Sequence, residues 1–224
     1  MHIYENLLIV GTSHIAAESV REAERVILQE HPSLVALELD AGRFAALQEP
    51  NRRRRLGLKE IRAIGIKGYL FAKFGEWIEH KLGDVVGVSP GSEMKKAASV
   101  AQAQNIPLYF IDQPIEVTLK KFSAALTWKE KFRFAWDFIQ GIFGRSQIKI
   151  DLRTVPKEEI IEQILEQFKD RYPNVHRVLV TERNKYMAKK LFRAMPHESK
   201  IIAFVGAGHA KEIIQDIKKL QAAN

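Results

Sequence analysis

The chain has 224 residues, 46% of them apolar and 28% charged, which excludes wholesale disorder and allows one large domain or one domain carrying insertions. It contains no cysteine, so disulfide scaffolds, thiol nucleophiles, Cys-ligated zinc and iron–sulfur centres are excluded. The formal net charge of +8 fits nucleic acid, an anionic membrane surface or solubility alone, depending on where it sits.

At the N-terminus, MHIYENLLIVGTSH carries Glu5 and no basic lead-in, so no signal peptide is expected. Leu7–Val10 is a strand-length apolar run, and Ile15, Val20, Ala23, Val26 and Ile27 then repeat at helical spacing as far as Pro32. Leu34–Leu39 resumes a strand and completes a βαβ unit. In residues 50–90, Ile61, Ile64, Phe71, Phe74 and Ile78 keep an apolar helical face. Pro90-Gly91-Ser92 supplies turn and N-cap chemistry for a helix over Glu93–Gln104, and a third strand follows at Leu108–Ile111. Residues 114–195 are helix-rich, with helices expected near 115–126, 128–142, 156–170 and 175–194. Ile201–Val205 is a fourth strand, followed by a helix over Ala210–Leu220.

All four strands are continuously apolar or nearly so, as parallel strands covered on both faces tend to be. The expected fold class is α/β: a mainly parallel central sheet flanked by helices, with helical insertions at about 50–90 and 114–195. A strand at the end of the chain has to rejoin those at its start, so residues 1–224 read as a single domain. No window approaches the roughly 18 uninterrupted apolar residues of a membrane-spanning helix. A cytoplasmic protein, at most peripheral to a membrane, is expected.

In an open parallel sheet the carboxyl ends of the strands share one edge, where ligands bind. Here the strands end in Gly11-Thr12-Ser13-His14, Glu38-Leu39-Asp40, Asp112 and Gly206-Ala207-Gly208-His209. Two histidines, each three residues after a glycine that lets the chain turn as it leaves the strand, therefore arrive at one rim with several carboxylates. Two imidazoles and a carboxylate suffice to hold a divalent ion with positions open for water or substrate. Such an ion generates hydroxide at neutral pH and polarises a carbonyl. The plainer reading has His14 and His209 capping helices or bonding in the core. A dinucleotide fingerprint at Gly206-x-Gly208 fails, because Lys211 stands where Gly or Ala is wanted and no second strand follows. A triad of Ser13, Asp112 and His209 lacks the glycine of a nucleophile elbow, since position 15 is Ile.

Six ordered segments resemble the TraB/PrgY family, which is related more distantly to the Tiki proteases: GTSH, Glu38-Leu39-Asp40 with Arg43, Pro90-Gly91-Ser92-Glu93-Met94, Asp112 through Leu119, Glu182-Arg183-Asn184 with Met187-Ala188, and VGAGH. The resemblance implies a metal-dependent hydrolase, most naturally a peptidase, using manganese, cobalt or zinc. It nominates His14, Glu38 and His209 for metal binding or water activation, with Glu93 as a second carboxylate. PrgY-type members instead suppress a peptide pheromone by degradation or by binding, which leaves a non-catalytic or membrane-associated regulatory role as the alternative. The chain departs from the family pattern at Gln113, where Arg is frequent, and at Asn184, where Asp is frequent.

Arg43 and Arg183, if they reach the rim, can pair with a substrate carboxylate or an oxyanion; the plainer reading has them in salt bridges to Asp40, Glu182 or Asp112. Gly11, Asp40, Asp112, Glu182, Gly206 and Gly208 complete the set expected to contact a peptide or small-molecule substrate. The charge is local: between Arg43 and Lys81 ten cations face four acids, leaving +6 of the total +8. Residues 52–81 are thus a candidate for an anionic membrane surface. Nucleic acid is disfavoured, because Tyr69, Phe71, Phe74 and Trp77 fall on an apolar helical face and not among the charges. A second aromatic cluster from Phe122 to Phe143 suits packing between helices, a lid over the rim or a homodimer contact.

Overall fold

The structure, a computed structural model, describes residues 1–12, 17–48, 91–125, 127, 129–130, 133 and 166–223. The expected insertion at 50–90, its basic run, and most of the helices expected near 128–142 and 156–170 lie outside the described residues.

A five-stranded sheet organises the chain, in the order β1-β2-β5-β3-β4. Strand β1 (His2–Tyr4) pairs antiparallel with β2 (Leu7–Thr12) through a turn in which Glu5 adopts a left-handed φ of 51°. The other pairings, among β2, β3 (Leu34–Leu37), β4 (Leu108–Phe110) and β5 (Ile201–Gly206), are all parallel. The final strand therefore sits between two N-terminal ones, with Gly11 opposite Val205 and Leu37 opposite Phe204.

Alternation along the strands decides which helices cover which face. Leu8, Val10, Val35, Leu37, Ile202 and Phe204 point to one side. There they meet Ala23, Val26 and Ile27 of α1 (Ala17–Glu30) and Met94, Ala97, Ala98 and Ala101 of α3 (Ser92–Ala103). Between these two, α2 (Ala41–Gln48) follows β3. Leu7, Ile9, Ala36, Ala203 and Val205 face the opposite side. They pack against Met187 and Leu191 of α6 (Glu182–Ala194) and Ile213 and Ile217 of α7 (Ala210–Ala222). The result is an α/β/α sandwich whose central strands β2, β5 and β3 are buried on both faces.

Helix α4 (Ile115–Ala125) joins a separate small cluster, in which Phe122 packs with Tyr172, Val175 and Val178. The last two belong to a helix that begins as α5 (Pro173–His176), widens to a π-helical turn over Arg177–Thr181 and continues as α6.

Sequence and structure differ at the strand ends. Strand β3 stops at Leu37, where the chain turns and Leu39 N–H bonds Leu37 O at 2.7 Å. The glycines before the histidines do not act by turning the chain. Gly11 and Gly206 lie within β2 and β5. A Cβ on Gly11 would come within 3.1 Å of the Ala207 Cα, so this glycine allows the loop after β5 to approach β2.

Candidate active site

The four parallel strands end on one edge, and helices leading into or out of them begin there, since a crossover helix runs against its strands. Asp40 starts α2: its Oδ1 accepts from the backbone N–H of Gly42 at 2.8 Å and Arg43 at 3.0 Å, the bonding of a helix N-cap. Its Oδ2 takes Arg43 Nε at 2.9 Å. Arg43 then reaches Asp112 through Nη2. Helix α3 begins at Ser92 after Gly91, whose φ of 78° suits glycine, and places buried Glu93 in its first turn.

Arg183 ties two strand ends together, those of β3 and β4. Its Nε and Nη2 engage both oxygens of Asp112, at 3.0 and 2.7 Å, and its Nη2 also bonds Glu38 Oε1. The remaining Nη1 donates to Leu179 O at 3.1 Å, within the π-helical turn. Burial alone would lower the Arg183 pKa; the Glu38 and Asp112 charges and hydrogen bonds more than reverse it, leaving a permanently charged guanidinium. Glu38 is 3% exposed, and its Oε2 accepts from Gly206 N–H at 2.6 Å. A strand-end carboxylate is thereby fixed to the strand beside it.

His209 enters from the loop before α7, its N–H bonded to Gly206 O at 2.8 Å. Its Nε2 stands 3.5 Å from Glu38 Oε1, and its Nδ1 stands 2.6 Å from Asn184 Oδ1. Asn184, fully buried, donates its Nδ2 to Glu212 Oε2 at 2.6 Å. A continuous polar chain thus runs Glu212, Asn184, His209, Glu38, Arg183, Asp112, Arg43, Asp40. Counting Glu38, Asp40 and Asp112 against Arg43 and Arg183, three carboxylates meet two guanidinium groups and one negative charge is left over.

Sequence-nominated residues divide accordingly. Glu38, Asp40, Arg43, Asp112, Arg183, Gly206 and His209 are brought together by direct bonds. Gly11 lies alongside through its contact with Ala207, and Gly208 lies in the loop that carries His209. Glu182 points elsewhere: its carboxylate pairs with Lys121 at 2.7 Å and Arg177 at 2.8 Å. The Lys121 bond, with Arg177 beside it, outweighs burial and lowers its pKa. His14 lies outside the described residues. Arg43 and Arg183 both form the intramolecular pairs of the plainer reading; only Arg43 keeps a substantial exposure, 32% of its side chain against 15% for Arg183.

A sequence model of the TraB/PrgY/gumN family matches residues 5–224. The chain belongs to that family. An uncharacterized protein of Methanocaldococcus jannaschii is 32% identical over 98% of this chain and 55% of its own length. A TraB domain-containing protein of Bos taurus is 27% identical over 92% of the chain and 60% of its own length, and that of Homo sapiens 25% identical over 92% and 61%. The chain therefore spans little more than half the length of these relatives.

Two members of the polar chain were not nominated as site residues from sequence. Asn184 stood out only as a departure from the TraB/PrgY/gumN pattern. Glu212 lies on an amphipathic helix among Lys211, Gln215 and Asp216, where a solvated face is the ordinary reading. The side chains of the two amides that depart from the family pattern have separate partners: Gln113 Nε2 donates to Thr118 Oγ1 at 2.7 Å, while the Gln113 backbone N–H donates to Asp112 Oδ1 at 2.8 Å. Among the described residues no group of three or more His, Cys, Asp or Glu side chains is close enough to hold a metal ion. The two donors that do approach, Glu38 Oε1 and His209 Nε2, are of the oxygen and nitrogen types that manganese, cobalt and zinc accept. No helix among the described residues is long and apolar enough to cross a membrane.

Proposed function

We propose that this chain is a metal-dependent hydrolase of peptide bonds, working at the rim where Glu38 and His209 meet. The observation that carries the reading is the 3.5 Å approach of His209 Nε2 to the buried Glu38 carboxylate at the strand ends. His14, which follows the end of β2 by two residues in the sequence, would complete the ligand set with Glu38 and His209. The ion would supply hydroxide at neutral pH and polarise the scissile carbonyl.

The chain's own residues do the remaining work. Arg183, with every nitrogen engaged, holds Glu38 and Asp112 in place. Arg43, the more exposed guanidinium, is the one able to pair with a substrate carboxylate or an oxyanion. Glu93 offers a second carboxylate at the start of α3. Gly11, Gly206 and Gly208 let backbone and substrate approach closely.

The test is hydrolysis of a peptide mixture by the purified chain with added manganese, cobalt or zinc. Turnover should depend on the metal and fall by about 100-fold or more in Glu38→Gln and His209→Ala, the range for removing a group that handles the reacting water. A peptide mixture left intact with each metal would defeat the proposal. A second reading, capture of a peptide without turnover, is favoured by one observation: both oxygens of Glu38 already accept bonds, from Arg183 and from Gly206. It predicts saturable binding and recovery of the intact peptide.

A further inference from the structure

We infer that Asn184 and Glu212 are positioning residues that hold the neutral His209 imidazole in its Nδ1–H tautomer and so turn the Nε2 lone pair toward Glu38. The inference follows from hydrogen-bond polarity along the chain of contacts. Glu212, as a carboxylate, offers only acceptors. The nitrogen of the Asn184 amide must therefore face it, as it does at 2.6 Å. Once that end is fixed, the other end of the amide is an oxygen, and Asn184 Oδ1 faces His209 Nδ1 at 2.6 Å. An oxygen acceptor at that distance requires the proton on Nδ1. In a neutral imidazole the proton on one ring nitrogen leaves the other as an acceptor.

The consequence lies on the far side of the ring. Nε2 in this tautomer is an acceptor, and 3.5 Å away is Glu38 Oε1, another acceptor. Two acceptors face each other stably only when a positive species lies between or beside them: a proton, a water hydrogen, a guanidinium or a metal cation. Arg183 Nη2 already serves the Glu38 oxygen. The competing tautomer would let Nε2–H donate straight to Glu38 and close the gap with a neutral bond. The Asn184–Glu212 pair works against that closure. It is the arrangement in which an imidazole's second nitrogen is anchored so that the first keeps its lone pair for chemistry.

The anchor is well placed to be rigid. Asn184 is fully buried, and Glu212 sits in the first turn of α7, three residues after His209. Asn184 is presented by α6 directly after the π-helical turn, so both ends of the relay rest on packed helices.

The inference deepens the hydrolase reading and rests on it for its functional meaning, whereas the tautomer itself is read without any activity. The experiment is long-range ¹H–¹⁵N correlation NMR of the histidine-labelled chain at about pH 8, above the ordinary imidazole range, with His209→Gln used to assign the signal among the seven histidines. The wild type should give the Nδ1–H pattern for His209. Asn184→Leu should reverse it to Nε2–H. The double variant Asn184→Asp with Glu212→Gln exchanges donor and acceptor between positions 184 and 212 while keeping an acceptor on His209; it should restore Nδ1–H. An Nε2–H pattern in the wild type overturns the inference, as does an unchanged Nδ1–H pattern in a folded Asn184→Leu. Adding zinc to the wild type separates the two ideas. An Nδ1–H ring whose Nε2 does not respond to zinc leaves the tautomer standing and removes the metal from the hydrolase reading.

Discussion

Arg183 is the residue on which the rim depends most directly. Its guanidinium pairs with two carboxylates that are 3% and 2% exposed, and charges that deep are tolerated only when paired and hydrogen-bonded. Replacing it by Met leaves Glu38 without its cation and Asp112 with Arg43 alone. Chemical denaturation of Arg183→Met should show a loss of about 3–5 kcal/mol, the usual cost of removing one partner of a buried pair. A loss under about 1 kcal/mol would mean that the network relaxes and the pairing is not structural. His176 permits a prediction with a sign. Burial lowers its pKa from the ordinary 6.5, with Lys169 adding to the lowering and Glu212 opposing it. Below pH 6.5 the unfolded chain takes up this proton before the folded one does. Its contribution is therefore complete above about pH 6.5 and is lost as pH falls through the window down to the folded value. Stability measured from pH 8 to pH 5 should fall more steeply in the wild type than in His176→Phe; parallel curves would contradict the assignment.

At the scale of elements, the parallel strands announce themselves as apolar runs because both of their faces are covered. Two elements left no such signal. Strand β1 has only three residues, with an exposed Ile3 between two half-buried neighbours, and no periodicity can be read from so short a piece. The π-helical turn at Arg177–Thr181 is equally silent: RVLVT satisfies any helical pattern, and the wider turn appears only in the backbone. It matters because one extra residue rotates the downstream helix α6 by about 100° relative to the upstream helix α5. That rotation lets Val175 and Val178 face the Phe122 cluster while Arg183 and Asn184 face the rim. A third device is Glu130. Its Oε2 accepts from Thr127 N–H and Oγ1 at 3.1 and 2.9 Å, and Glu130 N–H returns a bond to Thr127 Oγ1 at 3.2 Å. This is a capping box, and the same carboxylate takes Asn174 N–H at 3.0 Å at the start of α5. Although burial opposes it, these bonds hold the Glu130 pKa below its ordinary value. Losing two caps at about 1 kcal/mol each, Glu130→Ala should cost roughly 2 kcal/mol in urea. Thr127→Ala, which spares the Asn174 bond, should cost about half as much. Equal losses would show that the carboxylate serves only one helix.

For the whole molecule, the decisive feature is that β5 lies between β2 and β3, so residues from the two ends of the chain form one sheet and one rim. That is why Glu38, Asp112, Arg183 and His209, scattered over most of the sequence, touch. The convergence of Glu38, Asp112 and His209 was legible from strand-end positions alone, through the general rule that parallel sheets bind ligands at their carboxyl edge, whereas Arg183 arrives from helix α6. The wiring among them was not: which carboxylate takes which arginine depends on helix register and on side-chain reach, and neither leaves a trace in spacing. Family membership adds that the same domain recurs in relatives about twice as long, without saying what it does there. The central claim is that this rim binds a divalent ion through Glu38 and His209. It is tested most directly by equilibrium dialysis of the wild type and His209→Ala against manganese, cobalt and zinc, with the bound metal quantified by mass spectrometry. The account predicts about one ion retained per wild-type chain, from a ligand set of this size, and none in His209→Ala. Equal retention by both proteins, or by neither, would contradict it.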